Sequence, residues 1–398
     1  MNISLSKVYN YIFILLCVSL PYEDLVSAVP NILLLLLVVL SFFVIKTEDV
    51  VEVFKKEQAF LGYASIIAIV LLFSFIHIDF SFLKKLLIPF VFILISLPFK
   101  NYDKLKKLFI ISVFLAVVLS VYNIIEYILS SEDFKFSKGN HINDILVSER
   151  LYIGFYSVIS MVCSLDFIKS NHRLKRFFIV NVVLLTVFLF FIAARIAIVS
   201  SVLILFYFII CELNRKQRFF LGFTAILVIT LFFILNKNLT KRFFHLDDIY
   251  NDGLFEKIKI HEPRYDIWKC SVEVFFNEKA YLFGNGYTHS NDLLVDCYKN
   301  EILIQKRQDW FVEKKFNTHN QFLDFLLAYG VITLILLILL LTSLIYRGNY
   351  TFLSNSLLGA LILIMFVENI FYRQLGCYLF ALVFVIILNI KKRKESSI

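Results

Sequence analysis

Long apolar runs alternate with short polar segments along the whole chain. Runs of about 20 apolar residues predict membrane-spanning helices, because a helix of that length crosses roughly 30 Å of hydrocarbon. Twelve such segments lie near residues 8–20, 28–45, 60–78, 83–98, 107–129, 151–167, 176–193, 196–212, 219–236, 320–346, 352–371 and 375–390. The first also has an alternative interpretation, a signal peptide that ends at Val26-Ser27-Ala28. The pattern favours an all-α polytopic membrane protein of about twelve helices.

Composition supports this fold class. Apolar residues make up 60% of the 398 residues and charged residues only 18%, against about 25% charged residues in soluble domains. A soluble core could not bury so many apolar segments. No glycine-rich nucleotide-binding loop and no Ser-His-Asp hydrolase motif occurs, and we expect no nucleic-acid partner.

The distribution of Lys and Arg predicts the orientation. Segments assigned to the cytoplasmic side hold 20 of the 40 basic residues, short outer segments hold seven, and 13 lie in the loop from 237 to 318. Cytoplasmic segments of membrane proteins are enriched in Lys and Arg, whereas long loops do not follow this rule. Both termini are therefore predicted to be cytoplasmic, and the long loop extracytoplasmic.

The long loop precedes the tenth predicted helix and is predicted to form a small folded domain, the cap. It carries 13 basic and 13 acidic residues, and aromatic residues recur in it. Residues 264–278 space apolar side chains in a helical way, and Gly284-Asn285-Gly286 then breaks the chain. We therefore divide the chain into helices 1–5 with an outer loop (1–150), helices 6–9 (151–236), the cap (237–318), and helices 10–12 with a basic tail (319–398).

Two of the six cysteines, Cys270 and Cys297, lie in the cap. They could form a disulfide if the loop is extracytoplasmic, since that environment is oxidising. The other four lie in apolar segments and are interpreted as small core residues.

Ionisable groups near the ends of apolar segments are informative because their desolvation is costly. At 1.5 Å per helical residue, six of them fall near the outer membrane interface: Lys84, Lys85, Arg195, His319, Glu368 and Arg373. Each residue also has a purely structural interpretation. The lysine side chains could extend to the lipid headgroups, and Glu368 could pair with Arg373. Together they suit an anionic ligand presented from the membrane, such as a lipid diphosphate, because Arg binds phosphate oxygens bidentately.

The strongest local motif is Thr318-His319-Asn320-Gln321-Phe322-Leu323-Asp324, where the loop enters a helix. Thr318 or Asn320 is suited to cap that helix. A histidine there could take a proton from a hydroxyl, because histidine side chains titrate near neutral pH; the alternative is hydrogen bonding to headgroups. Weaker candidates are His245, His261 and His289, together with Asp247, Asp248 and Asp252 as ligands of a divalent metal. We expect no metal and no cofactor.

From about residue 150 to 380 the sequence resembles the O-antigen ligase and polymerase family of bacterial membrane glycosyltransferases. The resemblance rests on the order of several motifs: Arg195, Pro263-Arg264-Tyr265-Asp266-Ile267-Trp268, Phe283-Gly284-Asn285-Gly286, Thr318 to Leu323, Tyr329-Gly330, Glu368, Arg373-Gln374 and Gly376. Val331-Ile332-Thr333 departs from the pattern, because a second glycine is expected there.

The resemblance implies an enzyme of the bacterial inner membrane with a periplasmic active site. Such enzymes move a glycan from undecaprenyl diphosphate to an acceptor hydroxyl. Arg195, Arg264 and Arg373 would then neutralise the diphosphate, Lys84 and Lys85 would guide it, and His319 would orient or deprotonate the acceptor. Glu368 would support an arginine or share the role of base.

The acceptor leaves two alternatives. A ligase uses lipid A core, and a polymerase uses a second lipid-linked repeat unit. A polymerase is expected to hold two diphosphates. The sequence provides one dense outer cationic cluster, while Lys135, Lys138 and Arg150 give only a loosely spaced second one. This favours the ligase-like reading slightly.

An alternative of another class is a polysaccharide or lipid transporter. A transporter needs polar residues near the bilayer midplane, and that region is almost purely Leu, Ile, Phe and Val here.

Overall fold

The computed structural model describes residues 4–130, 141–235 and 262–390. It is 81% helical, and the described residues contain no strand. A helix lies in each of the twelve apolar segments. Within these ranges, six helices are long and apolar enough to cross a membrane, or seven if the helices Ala28–Val44 and Thr47–Lys56 form one broken span. The all-helical membrane class is thus confirmed, and the number of twelve crossings stays a prediction.

The chain folds into two compact units. The first comprises Met1–Val44, Pro98–Ile249 and Thr351–Ala360. Its helices are α1 (Leu5–Ser19), α2 (Ala28–Val44), α6 (Tyr102–Ser130), α7 (His141–Ile145), α8 (Arg150–Lys169), α9 (Lys175–Phe191), α10 (Arg195–Glu212) and α11 (Arg215–Leu235).

Helix α8 is the centre of the first unit. It packs against α6, α9 and α10 and is buried on nearly every side, as expected for a helix that is apolar all round. Several of its polar groups have partners from neighbouring helices. Asn181 donates to the hydroxyls of Ser160 and Ser164 at 3.2 and 3.0 Å, and Lys106 forms an ion pair of 3.0 Å with Asp166.

The second unit comprises Ile45–Leu97, Tyr250–Tyr350 and Leu361–Ile398. Its helices are α3 (Thr47–Lys56), α4 (Gln58–His77), α5 (Leu83–Ile95), α12 (Pro263–Glu278), α13 (Tyr287–Glu301), α14 (Gln305–Lys314), α15 (Gln321–Arg347) and α17 (Gln374–Leu388). Helix α16 (Phe352–Val367) begins in the first unit and ends in the second. Helix α4 packs against α15, and α5 packs against α17.

Helices α12, α13 and α14 form the cap. Apolar residues from all three helices meet in one buried cluster that includes Ile267, Leu294 and Phe311. Within it, Cys270 and Cys297 form a disulfide, with their Cα atoms 5.8 Å apart. The helix predicted over 264–278 and the break at Gly284-Asn285-Gly286 are both confirmed.

The orientation is open to a direct labelling test. A membrane-impermeant maleimide should label Gln305→Cys in intact cells and should reach Lys104→Cys and Lys216→Cys only after lysis. All three positions are exposed. The host protein should lack the exposed Cys211. Labelling of the cysteines at 104 and 216 before lysis would contradict the predicted orientation.

Candidate functional site

The start of α15 is fixed by a side-chain cap. The Asn320 carboxamide oxygen accepts hydrogen bonds from the backbone N–H groups of Phe322 and Leu323 at 2.9 and 3.1 Å. These are two of the N–H groups that a helix start leaves without an intrahelical partner. Of the two predicted capping residues, Asn320 makes this cap, whereas the Thr318 hydroxyl contacts Asn369 at 2.9 Å.

His319, immediately before the cap, contacts a carboxylate from a different part of the chain. Its Nδ1 lies 3.3 Å from Oε2 of Glu368. The backbone at His319 is left-handed, with φ of 43°, and its N–H donates to the Asn317 side chain at 3.0 Å. The His319 side chain is 26% exposed and that of Glu368 is 11% exposed. When Nδ1 carries the proton and donates to Glu368, Nε2 is left as the acceptor.

A buried polar network holds these two residues together, and Asn369 is at its centre. The Asn369 carboxamide oxygen accepts from the Asn320 N–H at 2.6 Å and from the Thr318 hydroxyl at 2.9 Å. Its amide nitrogen donates to Asp324 at 3.0 Å.

The network continues from Asp324 to the turn between α16 and α17. Gln321 donates to Asp324 at 3.3 Å and accepts from the N–H of Phe371 at 3.0 Å. The network residues are almost completely inaccessible to solvent. Since His319 lies between Thr318 and Asn320, and Glu368 precedes Asn369, the network sets how the two site residues meet.

Arg264 joins this cluster from the first turn of α12. Its Nε donates to the carbonyl oxygen of Val367 at 3.1 Å, which is the last residue of α16 and directly precedes Glu368. Helix ends leave such carbonyls without intrahelical partners. The Arg264 guanidinium also pairs with Glu262 at 2.9 Å and remains 27% exposed. Arg264 therefore contacts the residue that directly precedes Glu368, the partner of His319.

The remaining predicted cations have different surroundings. The Lys85 ammonium lies over the rings of Tyr372 and Tyr287, 4.3 and 5.2 Å from their centroids, and interacts electrostatically with Asp324. Lys84 and Arg373 are exposed, and Arg373 is the N-cap residue of α17.

Arg195 belongs to the first unit. It is the first residue of α10, and it follows a tight turn in which Ala193 has a φ of 49°. Its role at the diphosphate stays a prediction.

The glycine motifs form a docking point for the cap. Helix α15 is broken at Gly330, where φ is 75°. The segment between α12 and α13 binds this break through backbone hydrogen bonds: the N–H of Asn285 donates to Leu327 at 2.9 Å, and that of Val331 donates to Tyr281 at 2.8 Å. A Cβ atom at Gly330 would overlap the Leu282 carbonyl, so two motifs 45 residues apart in the chain are parts of one contact.

The turn before α5 adds a second contact to the cap. Asp79 accepts a hydrogen bond of 2.7 Å from the N–H of Thr288, in the first turn of α13. Burial raises the pKa of the Asp79 carboxyl, but hydrogen bonds from Ser81 and Thr288 outweigh this effect and hold the pKa below its usual value. A carboxylate is favourable there because a helix N-terminus carries partial positive charge.

The weaker candidates contribute nothing to this cluster. His289 is exposed on α13. His245, His261, Asp247, Asp248, Asp252, Lys135 and Lys138 lie outside the described residues, whereas Arg150 is buried at the start of α8. Within the described ranges, one group of side chains could offer three metal ligands, namely Cys270, Glu273 and Cys297, and its two cysteines are joined in the disulfide.

Sequence reasoning missed Asn369, Gln321, Glu262 and the role of Asp324 as a buried acceptor. A partial signal exists for two of them. Gln321 and Asp324 lie in the first turn of an apolar helix, where buried polar groups require partners. Nothing in the local sequence distinguishes Asn369 or Glu262.

The comparisons agree with the motif order. Residues 180–338 match the profile of the family described as O-antigen ligase. This range contains Arg195, Arg264, the glycine motifs and His319, while Glu368, Arg373 and Gly376 lie beyond it. No curated protein matches the chain. The match of residues 180–338 supports the O-antigen ligase and polymerase family, and with it an O-antigen ligase or polymerase-like, glycosyltransferase-like activity in general.

Proposed function

We propose that this protein transfers a glycan from undecaprenyl diphosphate to an acceptor hydroxyl on the periplasmic face of the bacterial inner membrane. The observation that carries the proposal is the pairing of His319 with Glu368 at 3.3 Å, beside Arg264 and at the point where the cap enters α15. A proton acceptor and a cation at one membrane-proximal site match the needs of this reaction.

The chemistry follows from the geometry of the pair. Glu368 accepts a hydrogen bond from Nδ1–H, so Nε2 of His319 carries no proton and can take the proton of the acceptor hydroxyl. The hydroxyl oxygen then forms a bond to the anomeric carbon as the bond from that carbon to the diphosphate oxygen breaks. Glu368 stabilises the imidazolium that results, as a carboxylate does in other His-containing sites. Direct displacement inverts the anomeric configuration.

Arg264 is proposed to bind the diphosphate leaving group. Its guanidinium now pairs with Glu262, so a diphosphate binds by replacing or sharing that partner. A cation aimed at developing charge lowers the barrier most in a water-poor site. Arg195, Arg373 and Lys84 are further candidates for this role. The contact of Lys85 with the Tyr372 ring and its electrostatic interaction with Asp324 favour a more indirect contribution.

The disulfide supports the proposed orientation. Cys270 and Cys297 are bonded in the cap, and structural disulfides persist in oxidising compartments such as the periplasm. This agrees with the orientation predicted from the Lys and Arg distribution, in which the cap is periplasmic and both termini are cytoplasmic.

The Arg264 proposal predicts a loss of donor use. Arg264→Ala should lower transfer well over tenfold, because loss of a charge-assisted contact costs roughly 1.5–3 kcal/mol. Arg264→Lys should rescue only part of it, since the bidentate fork is lost. The matched control is Lys299→Ala, which removes an exposed cap cation paired with Asp296 and should leave transfer unchanged. Unchanged transfer in Arg264→Ala would show that the diphosphate does not bind at Arg264.

For the acceptor we propose the ligase-like reaction with lipid A core, and the alternative is polymerisation onto a second lipid-linked unit. The order of the sequence motifs, and the single dense set of outer cations that the sequence provides, support the first. Deletion in the native cell distinguishes the two. A lost ligase leaves long glycan on undecaprenyl diphosphate, whereas lipid A core bearing one repeat unit would contradict our proposal and indicate a lost polymerase.

A further inference from the structure

A cleft opens on the cap between the first turn of α12 and the connection from α13 to α14. Tyr265 and Asp266 line one wall, and Leu303, Ile304 and Arg307 line the other. No role for this cleft follows from the His319–Glu368 pair, because none of these residues contributes to that pair.

The apolar part of the cleft is unusually accessible. Leu303 is 94% exposed, Ile304 is 61% exposed, and Tyr265 is 40% exposed. Two adjacent aliphatic side chains and one aromatic ring thus contact water at the rim of a concavity. Covering such a surface is favourable because it removes apolar area from water.

The polar part of the cleft is rigid. Two nitrogens of Arg307, Nη2 and Nε, lie 2.6 and 2.8 Å from one Asp266 carboxylate oxygen. Both side chains are about four-fifths buried, with 18% and 22% exposed. The Arg307 guanidinium also lies over the Phe311 ring, 5.5 Å from its centroid. The donors and acceptors are therefore held in place before any ligand binds, which lowers the entropic cost of binding.

The charges of the lining disfavour a second phosphate site. Asp266 and Glu301 place two carboxylates on the cleft, and Arg307 is the one cation among the described residues that line it. An anionic ligand is disfavoured by this balance. A purely apolar chain would desolvate the Asp266–Arg307 pair without giving it new partners. The lining combines apolar side chains with a fixed donor and acceptor pair. It therefore favours a neutral ligand that has apolar faces and carries hydroxyl groups around its edge.

We propose that this cleft binds sugar units of the lipid-linked glycan. The sugar C–H faces pack on Tyr265 and Leu303, and the sugar hydroxyls bond to Asp266 and Arg307. The proposal rests on the proposed function for its link to the site. Arg264, at the proposed diphosphate position, directly precedes Tyr265, and a helix with its side chains is only about 10–12 Å across. When the diphosphate is bound at Arg264, the first few sugars of the attached glycan therefore reach the cleft.

The test varies the length of the glycan. Full-length protein in lipid nanodiscs is given undecaprenyl diphosphate that carries either one sugar or the complete glycan from the native cell. Tyr265→Ala and Leu303→Ser should raise KM for the long donor roughly tenfold, in keeping with the loss of one buried apolar side chain. KM for the one-sugar donor and kcat for both donors should not change. Val272→Ser, an exposed aliphatic position on the same helix at 46% exposure, is the matched control.

Binding of the glycan alone separates this inference from the proposed function. The glycan released from its lipid by mild acid should bind the wild-type protein in a saturation-transfer NMR experiment and should bind the Tyr265→Ala and Leu303→Ser proteins more weakly. If the glycan binds in this way while the protein consumes no donor, the assignment of the cleft stands and the transfer proposal fails. Absence of glycan binding, or an equal rise of KM for both donors, would overturn the assignment of the cleft.

Discussion

The His319→Ala protein should lose glycan transfer by roughly 10²–10⁴-fold, the usual contribution of a general base, while remaining inserted and folded. The His319 side chain lies at the edge of the buried network and is 26% exposed, so its removal leaves no large cavity. Histidine and alanine both carry a Cβ atom, so the left-handed backbone at this position costs them a similar amount, and Tm should change little. Transfer from purified donor to acceptor, measured beside Tm, tests both statements.

Two further substitutions separate the roles within the pair. His319→Gln retains a side chain that can hydrogen-bond to a hydroxyl but cannot accept its proton near neutral pH. We expect it to be nearly as inactive as His319→Ala. Glu368→Gln keeps a hydrogen bond to Nδ1 but removes the charge that stabilises an imidazolium. Retained activity in His319→Gln would reduce His319 to a positioning residue and would make Glu368 the candidate base.

Replacing Asn369 by aspartate should lower transfer at least tenfold and destabilise the protein. The new carboxylate would face Asp324, which now accepts a hydrogen bond of 3.0 Å from Asn369. Two buried carboxylates at this distance repel each other, and each buried group that loses its partner costs about 1–3 kcal/mol. We expect the effect mainly on kcat, because the network determines how His319 meets Glu368, whereas Arg264 is held by Val367 and Glu262.

The double variant Asn369→Asp, Asp324→Asn provides the decisive control. It exchanges the carboxamide and the carboxylate, so that the amide at 324 donates to the carboxylate at 369, which still accepts from Thr318 and Asn320. The double-mutant cycle should therefore show a coupling of about 0.5–3 kcal/mol and recovery of both kcat and Tm. Activity of Asn369→Asp equal to wild type, or no recovery in the exchange, would contradict a positioning role for this network.

Several features of the protein follow from its sequence alone. The apolar segments predict the helices because a membrane selects for local length and hydrophobicity, which need no knowledge of distant residues. The helix over 264–278 and the break after it follow from local periodicity and glycine placement. Arg264 and His319 stand out because each lies in a motif at the boundary of an element, and the cysteines of the cap were recognisable as a possible pair.

Only the tertiary structure decided which polar groups meet. His319 and Glu368 are 49 residues apart, and α15 and α16 must both fold before they come within 3.3 Å. Asn369 has no local signal, yet it joins the start of α15 to the turn after α16. The physical reason is that apolar residues need only an apolar environment, whereas a buried polar group needs a particular partner. That partner is chosen by packing over long sequence separations. The motif order therefore predicted the resemblance to the family, whereas only the fold brought His319, Glu368 and Asn369 together.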